Sequence, residues 1–247
     1  MPARRRRRSR LWAAAVLAVG LIVQVRPAAI RAHAADTGAL QGLVTLGPRL
    51  TARRMSFSLY PDARAPGGAE PAPPPAPEIE NVVVYLEAAP GGTAPPDAPA
   101  GPFRIEQVGL TFKPHVLAVV KGTTVEFPNR DTLFHNVFSL SKAAAFDLGR
   151  YPKDDSKSVR FDTPGVVPVF CHIHSDMSAL IVVLDNPFFA RPDASGRFTL
   201  DGIPPGTYTV VAWHERAHRI EKKIRIEAGR STVVDFAIPL TGGANAE

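Results

Sequence analysis

The chain has 247 residues, of which 29 are lysine or arginine and 23 are aspartate or glutamate, giving a formal charge of +6. Residues 1–34 hold eight of the arginines and no acidic residue, so 21 basic and 23 acidic residues remain when these eight are subtracted from 29. This near-neutral remainder argues against nucleic-acid binding, which requires a basic surface.

The N-terminal segment has the layout of a secretory signal peptide. A basic run at residues 4–8 precedes an apolar stretch at residues 11–25, and the small residues at 32 and 34, on either side of His33, suit a cleavage site. The apolar stretch is shorter than the roughly 20 residues of a membrane span. We therefore expect residues 1–34 to direct export to the periplasm, by the general or the twin-arginine route. Membrane contact is expected only through this segment, if it remains uncleaved.

Short strands and proline-rich linkers follow. Residues 38–46 alternate as a strand does, and residues 55–60 are a weaker candidate. Residues 61–78 are rich in proline and predict an extended loop that does not pack into a core. Residues 81–87 are rich in valine and predict a strand. A second linker, rich in proline and glycine, is predicted at 90–102.

The central region combines strand patterns with metal-binding side chains. No sustained helical periodicity is present, and strands are predicted at 105–112, 116–120, 124–127, 158–161, 166–171 and 179–184. The only cysteine of the chain, Cys171, is followed at three-residue steps by His174 and Met177. A thiolate, an imidazole and a thioether together favour copper over magnesium or calcium. A trigonal copper site needs a second imidazole, for which His135 is the candidate.

Residues 105–185 resemble a cupredoxin of the plastocyanin and amicyanin type. The resemblance rests on the Phe-Pro-Asn run at 127–129, the His135-Asn136 pair and the Cys-x-x-His-x-x-Met spacing of residues 171–177. It implies a Greek-key β-sandwich that binds one copper ion, cycling between Cu(I) and Cu(II). The ligands it implies are His135, Cys171, His174 and Met177. It also implies that Asn136 steadies the ligand loops and that the ring of His174 reaches the surface as an electron port.

The C-terminal region predicts four further strands separated by tight turns. Its runs Gly-Arg-Phe-Thr-Leu (196–200) and Pro-Pro-Gly-Thr-Tyr (204–208) resemble a carboxypeptidase regulatory-like, transthyretin-like β-sandwich. The strands with which such a module begins are missing here but are present near the N-terminus. We therefore expect one sandwich split into residues 37–92 and 186–240, with the cupredoxin at 103–185 inserted. Alternatively, the N-terminal part packs on its own.

These features together predict an exported type 1 copper protein that transfers single electrons. Four protein ligands leave no open coordination position, so the expectation is a carrier and not an enzyme. The expected partner is a periplasmic redox protein, such as a c-type cytochrome or a dehydrogenase. The combined layout resembles so-called methylamine-utilisation proteins. The alternatives are copper delivery or storage, or a structural module with a vestigial metal site.

Two features of the central region have less specific interpretations. His172, next to Cys171, would point away from it in a strand, and it could serve a second metal. Residues 149–160 mix acidic and basic side chains and predict either a solvated loop or a docking surface.

Overall fold

The computed structural model describes residues 37–47, 77–87 and 101–239, and almost all of their regular structure is β. Within these ranges there is no α-helix, only a short 3-10 helix at Glu78–Asn81, and no helix has the length and apolarity needed to cross a membrane. The predicted all-β fold is confirmed. The predicted signal peptide, the candidate strand at 55–60 and most of both linkers lie outside the described residues.

Eighteen strands are present in the described ranges. Those before the metal-binding motif are Gly38–Leu46 (β1), Val83–Leu86 (β2), Phe103–Arg104 (β3), Glu106–Gln107 (β4), Phe112–Lys113 (β5), Val116–Val120 (β6) and Thr123–Pro128 (β7). Those that carry or flank the motif are His135–Leu140 (β8), Ala145–Tyr151 (β9), Ser156–Phe161 (β10), Gly165–Phe170 (β11) and Ser178–Leu184 (β12). The remainder are Phe189–Ala190 (β13), Arg197–Ile203 (β14), Gly206–Trp213 (β15), Ile220–Ile226 (β16), Ser231–Val233 (β17) and Phe236–Ile238 (β18).

The central strands form a sandwich around an apolar core. A five-stranded sheet has the order β6-β12-β11-β8-β9, and a three-stranded sheet has the order β10-β7-β3. One face of each strand supplies the core because side chains alternate across a strand. Its largest fully buried members are Tyr151, Phe127, Phe161, Ile105, Met177 and Ile181. The buried phenol of Tyr151 has partners, donating to the Phe127 carbonyl at 2.8 Å.

Strands from both ends of the chain form the second sandwich. β1 pairs with β14 on one side and runs parallel to β17 and β18 on the other. β2 pairs with β13 and with β15, which in turn pairs with β16. The strands before residue 103 therefore pair with strands after residue 186. This pairing is what the predicted split sandwich requires. The predicted domain boundaries at residues 37–92, 103–185 and 186–240 stay a prediction.

The two sandwiches share an apolar contact. Val116 and Ala118 of β6 and Val182 of β12 form a buried cluster with Val83 of β2, and Trp213 packs against it. The outer face of the five-stranded sheet is thus covered at its β6 and β12 edge by the sheet that contains β2 and β15. Val182 of this cluster lies in β12, the strand that begins directly after the metal-binding motif.

Two predicted segments differ from the structure. The strand predicted at 105–112 is broken by a turn in which Gly109 and Leu110 have positive φ angles, 62° and 57°. The carboxylate of Asp131 accepts hydrogen bonds from both of their N–H groups, and these bonds hold the turn. The segment 149–160, predicted as a loop, lies mostly in β9 and β10. Its charged side chains are exposed, because one face of these strands points to solvent.

We expect Gly42→Ala to destabilise the second sandwich by about 1–3 kcal/mol, as overpacking does in other proteins. Gly42 lies in β1, and a Cβ atom there would overlap the carbonyl oxygen of Val234. Urea unfolding measures the change. Gly206→Ala in β15 is the matched control, because its Cβ would be 3.3 Å or more from the Tyr208 ring. Equal unfolding midpoints for the two variants would contradict the close approach of β1 to Val234.

Candidate metal centre

Two segments at one end of the central sandwich bring the predicted site residues together. Cys171 directly follows β11, Met177 directly precedes β12, and His174 lies in the loop between them, here called the 171–177 loop. Within it, the Cys171 N–H donates to the Met177 carbonyl at 3.3 Å, and the Met177 N–H donates to the His174 carbonyl at 3.1 Å. His135 is the first residue of β8. The antiparallel β11–β12 pair therefore fixes both ends of the loop.

Three of the four predicted ligands present their donor atoms to one small space. His135 Nδ1 is 3.1 Å from His174 Nδ1, and Cys171 Sγ is 3.9 Å from His174 Nδ1. One donor atom from each of the three residues lies within 4.8 Å of the others. Met177 is buried, with 1% of its surface exposed, and belongs to the same core cluster as Cys171.

These distances fit a single transition-metal ion. Imidazole nitrogens bind zinc at about 2.0 Å and thiolates at about 2.3 Å. Two nitrogens held at about 2.0 Å are about 2.8–3.5 Å apart when the angle at the ion is about 90–120°. A nitrogen and a sulfur at angles of about 120–130° are about 3.7–3.9 Å apart. The separations of 3.1 Å and 3.9 Å match both ranges. The donors are therefore placed for a trigonal arrangement with little rearrangement.

Asp131 contacts a predicted ligand, a contact that the sequence did not indicate. Its Oδ2 lies 2.8 Å from Nε2 of His135, the ring nitrogen that faces away from the cluster. The carboxylate is 4% exposed, and it also accepts the N–H groups of Gly109 at 2.6 Å and Leu110 at 3.0 Å. A carboxylate on the far nitrogen of a ligating histidine fixes its tautomer and ring orientation. No sequence pattern indicated this contact, because a spacing of four residues predicts a side-chain contact only in a helix and residues 130–134 are not helical.

Asn136 links the two segments that carry the predicted ligands. Its Oδ1 accepts the N–H of His172 at 3.2 Å, and its Nδ2 donates to Asp147 Oδ1 at 2.6 Å. The first contact joins β8 to the 171–177 loop, and the second joins β8 to β9. The Asn136 side chain therefore connects the strand that begins with His135 to the backbone of His172, next to Cys171.

The pKa values of the donors follow from burial and from their contacts with one another. Burial raises the pKa of the Cys171 thiol, but hydrogen bonds from His135 and from nearby backbone N–H groups outweigh it and hold the pKa below its ordinary value. Burial lowers the pKa of His135, whereas its hydrogen bonds with Cys171 and Asp131 raise it above the ordinary value overall. Burial and the neighbouring His135 lower the pKa of His174. The cluster thus favours a thiolate and a neutral His174, the forms that bind metal.

His172 lies apart from this cluster. Its ring stacks on Phe138 with centroids 3.7 Å apart and planes 3° apart. Its Nε2 is 3.7 Å from Asp147 Oδ2, and 54% of the side chain is exposed. The ring therefore faces away from the core that contains Cys171, as strand alternation predicts. A second metal at His172 stays a prediction.

Of the four predicted ligands, His174 alone reaches the surface. Cys171 and His135 are 5% and 0% exposed, whereas His174 is half-buried. The ring of His174 lines an open depression together with Leu133, Phe134, Arg150 and Ile173. The donor cluster therefore has one edge towards solvent, and the surface around that edge is mostly apolar.

Comparison with protein families gives one match, to the C-terminal region. A family model described as polysaccharide lyase family 4, domain II, matches residues 184–234, which include β13 to β17. It does not describe a carboxypeptidase regulatory-like module, so that resemblance stays a prediction. No curated protein sequence matches the chain.

The solved structures similar to this chain include copper proteins. A Cu-containing nitrite reductase (NirK) from Thermus scotoductus SA-01 is 26% identical, with a TM-score of 0.32, covering 36% of this chain and 25% of the reductase. An oxidised methionine variant of amicyanin is 23% identical, with a TM-score of 0.32 and coverage of 35% and 86%. A purple cupredoxin from Nitrosopumilus maritimus is 23% identical, with a TM-score of 0.30 and coverage of 33% and 99%. The chain thus spans about a quarter of the reductase.

Proposed function

We propose that this protein is a type 1 copper protein that carries single electrons between redox partners in the periplasm. The observation that carries the proposal is the convergence of the Cys171 sulfur and the His135 and His174 nitrogens within 4.8 Å. Thiolate and imidazole donors, with the thioether of Met177 beside them, suit copper and exclude the oxygen-preferring cations. Bound copper would supply a one-electron couple between Cu(I) and Cu(II).

Each proposed ligand has a distinct role. Cys171 would hold copper through its thiolate, which is the soft donor of the set, and His135 and His174 would hold it through ring nitrogens. Met177 would add a weaker thioether contact that tunes the reduction potential. Asp131 holds the ring of His135 through Nε2 and leaves Nδ1 free to face the cluster. Because these side chains are already assembled, a change of one electron requires little movement of the protein.

Burial supports a carrier over an enzyme. Cys171, His135 and Met177 are each at most 5% exposed, so three of the four proposed ligands offer a substrate little access to an open coordination position. A catalytic metal site keeps such a position open. His174 provides the one donor at the surface, and we propose that electrons enter and leave through its ring.

The expected partner is another periplasmic redox protein, such as a c-type cytochrome or a dehydrogenase. The apolar side chains of Phe134 and Ile173, which are 56% and 39% exposed, flank the ring of His174. Exposed apolar side chains grouped around a functional atom are typical of a protein-docking surface. Export is supported by the sequence pattern of residues 1–34, which has the layout of a secretory signal peptide.

An absorption spectrum of the purified Cu(II) protein tests the proposal. A thiolate bound to Cu(II) in a trigonal site is expected to give an intense charge-transfer band near about 600 nm. Stoichiometric copper binding without this band would favour copper delivery or storage. A protein that binds no copper would support a structural module with a vestigial site.

We expect Met177→Leu to retain copper and its visible band and to raise the reduction potential. Leucine fills a similar volume, so the buried position tolerates the change. Loss of the thioether leaves one donor fewer, which Cu(I) tolerates better than Cu(II), and the axial ligand is a main determinant of the potential in such sites. Voltammetry of the two proteins measures the shift. An unchanged potential would show that Met177 does not contact the metal.

A further inference from the structure

A polar contact joins the second sandwich to the strand that ends the 171–177 loop. His115 directly precedes β6, and its Nδ1 is 3.1 Å from the carbonyl oxygen of Ser178, the first residue of β12. Its Nε2 is 3.0 Å from Oε1 of Glu215, which lies between β15 and β16. Its own carbonyl accepts the N–H of Leu180 at 2.8 Å. Only 22% of the His115 side chain and 16% of the Glu215 side chain are exposed.

Both side-chain contacts of His115 are to oxygen acceptors. An imidazole donates from both nitrogens only when each carries a proton, whereas a neutral ring donates from one. The contact of Nε2 with the Glu215 carboxylate fixes the orientation of the ring, and in that orientation Nδ1 faces the carbonyl of Ser178. Glu215 therefore orients His115 towards the carbonyl of Ser178.

Glu215 is held in place by its own sandwich. The preceding residue, His214, is fully buried, and its Nε2 is 3.2 Å from Glu78 Oε2. The following residue, Arg216, donates from Nη1 to Glu78 Oε1 at 2.8 Å and from its backbone N–H to His214 Nδ1 at 3.1 Å. These contacts tie the segment around Glu215 to the 3-10 helix before β2. The segment that carries Glu215 is therefore anchored in the second sandwich.

The other end of this contact lies beside the proposed ligands. Ser178 follows Met177 in the chain and pairs with Phe170, the residue before Cys171. The N–H of Met177 closes the 171–177 loop on the carbonyl of His174. The carbonyl of Ser178 belongs to the peptide unit that joins Ser178 to Ala179, so a restraint on it acts one residue away from Met177.

We propose that Glu215 and His115 form a relay by which the second sandwich positions Met177 at the metal centre. This proposal rests on the proposed copper function, which it deepens by giving the second sandwich a role in that site. His115 and Glu215 are positioning residues, since neither belongs to the donor cluster. Without the relay, Met177 moves more freely and its contact with the ion varies in length.

Amide hydrogen exchange in the metal-free full-length protein tests the relay without copper. We expect Glu215→Ala to speed exchange at the Met177 N–H by about tenfold, as expected for the loss of one hydrogen bond to a charged group. His115→Ala should speed it at least as much, and adding Glu215→Ala to it should change nothing further. Glu215→Gln should remain close to wild type, because its amide offers a donor and an acceptor to either form of the ring.

Glu87→Ala is the control within the second sandwich. Glu87 pairs with Arg219 at 2.6 Å, and removal of this ion pair should leave exchange at Met177 unchanged. If His115→Ala speeds exchange while Glu215→Ala does not, the second sandwich is not coupled to the loop and the proposal is overturned. If His115→Ala fails to fold, the exchange rates at Met177 in Glu215→Ala, Glu215→Gln and Glu87→Ala still test whether the second sandwich is coupled to the loop.

The copper-loaded protein provides the second readout. Glu215→Ala should shift the reduction potential and the visible band, whereas Glu87→Ala should shift neither. A blue protein whose potential is unchanged by Glu215→Ala would overturn the relay while leaving the proposed function intact. A wild-type protein without a blue band would overturn the copper function, and the exchange data would then still establish or exclude the coupling of Glu215 to the loop.

Discussion

Cys171→Ser is expected to abolish the intense visible band and to remove most of the copper affinity. The band requires charge transfer from a thiolate, and a serine hydroxyl is a hard donor that stays protonated at neutral pH. Removal of a direct ligand should cost more than the roughly 10- to 100-fold in affinity that loss of an outer hydrogen-bond partner costs. Absorption spectroscopy and competition with a copper chelator measure the two effects.

The fold should survive this substitution. Serine is close to cysteine in size, and at position 171 its hydroxyl lies within reach of the His135 ring that contacts the thiol. The far-ultraviolet circular dichroism of the variant should therefore match that of the wild type. Met177→Leu serves as the control that alters a buried sulfur residue of the same cluster and keeps the band. A Cys171→Ser variant that stays blue would refute the ligand assignment.

The all-β fold could be predicted from local sequence because its strands carry their own signals. The alternation at β1, the valines of β2 and the turn residues between β14 and β15 each indicate a strand without reference to the rest of the chain. The broken strand at 105–112 could not be predicted in the same way. Its turn is held by Asp131, about 20 residues away in sequence, and local patterns do not contain such a partner.

The proposed ligands could be predicted because a metal site places strict demands on side-chain type. Soft donors at short spacing are rare, so Cys171, His174 and Met177 stand out in the sequence, and the His-Asn pair indicates His135. The surrounding contacts were not predicted. Asp131 and Glu215 act through hydrogen bonds that many residue types could make, and Glu215 meets His115 across 100 residues of sequence. Only the assembled structure shows these pairs.

Asp131→Ala should produce the largest loss of stability among the changes considered. The substitution removes the acceptor for the Gly109 N–H, the Leu110 N–H and His135 Nε2, which lie at 2.6, 3.0 and 2.8 Å. A buried donor left without a partner costs about 1–3 kcal/mol, and removal of one member of a buried charged contact costs about 3–5 kcal/mol. We therefore expect a loss of about 3–5 kcal/mol, measured by urea unfolding of the metal-free protein.

Asp131→Asn separates the effect on the metal centre from the effect on folding. Asparagine keeps the shape of the side chain and can still accept one of the two backbone N–H groups, but it removes the carboxylate that faces His135 Nε2. We expect copper affinity to fall about 10- to 100-fold, because the ring of His135 loses its orientation. Asp185→Asn is the control. The Asp185 carboxylate is 56% exposed, and among the ion pairs of the described residues it pairs only with Lys121. Loss of this pair should change the free energy of unfolding by about 0.5 kcal/mol or less. If Asp131→Asn bound copper as tightly as the wild type, His135 would be oriented by its packing in β8 and not by the carboxylate.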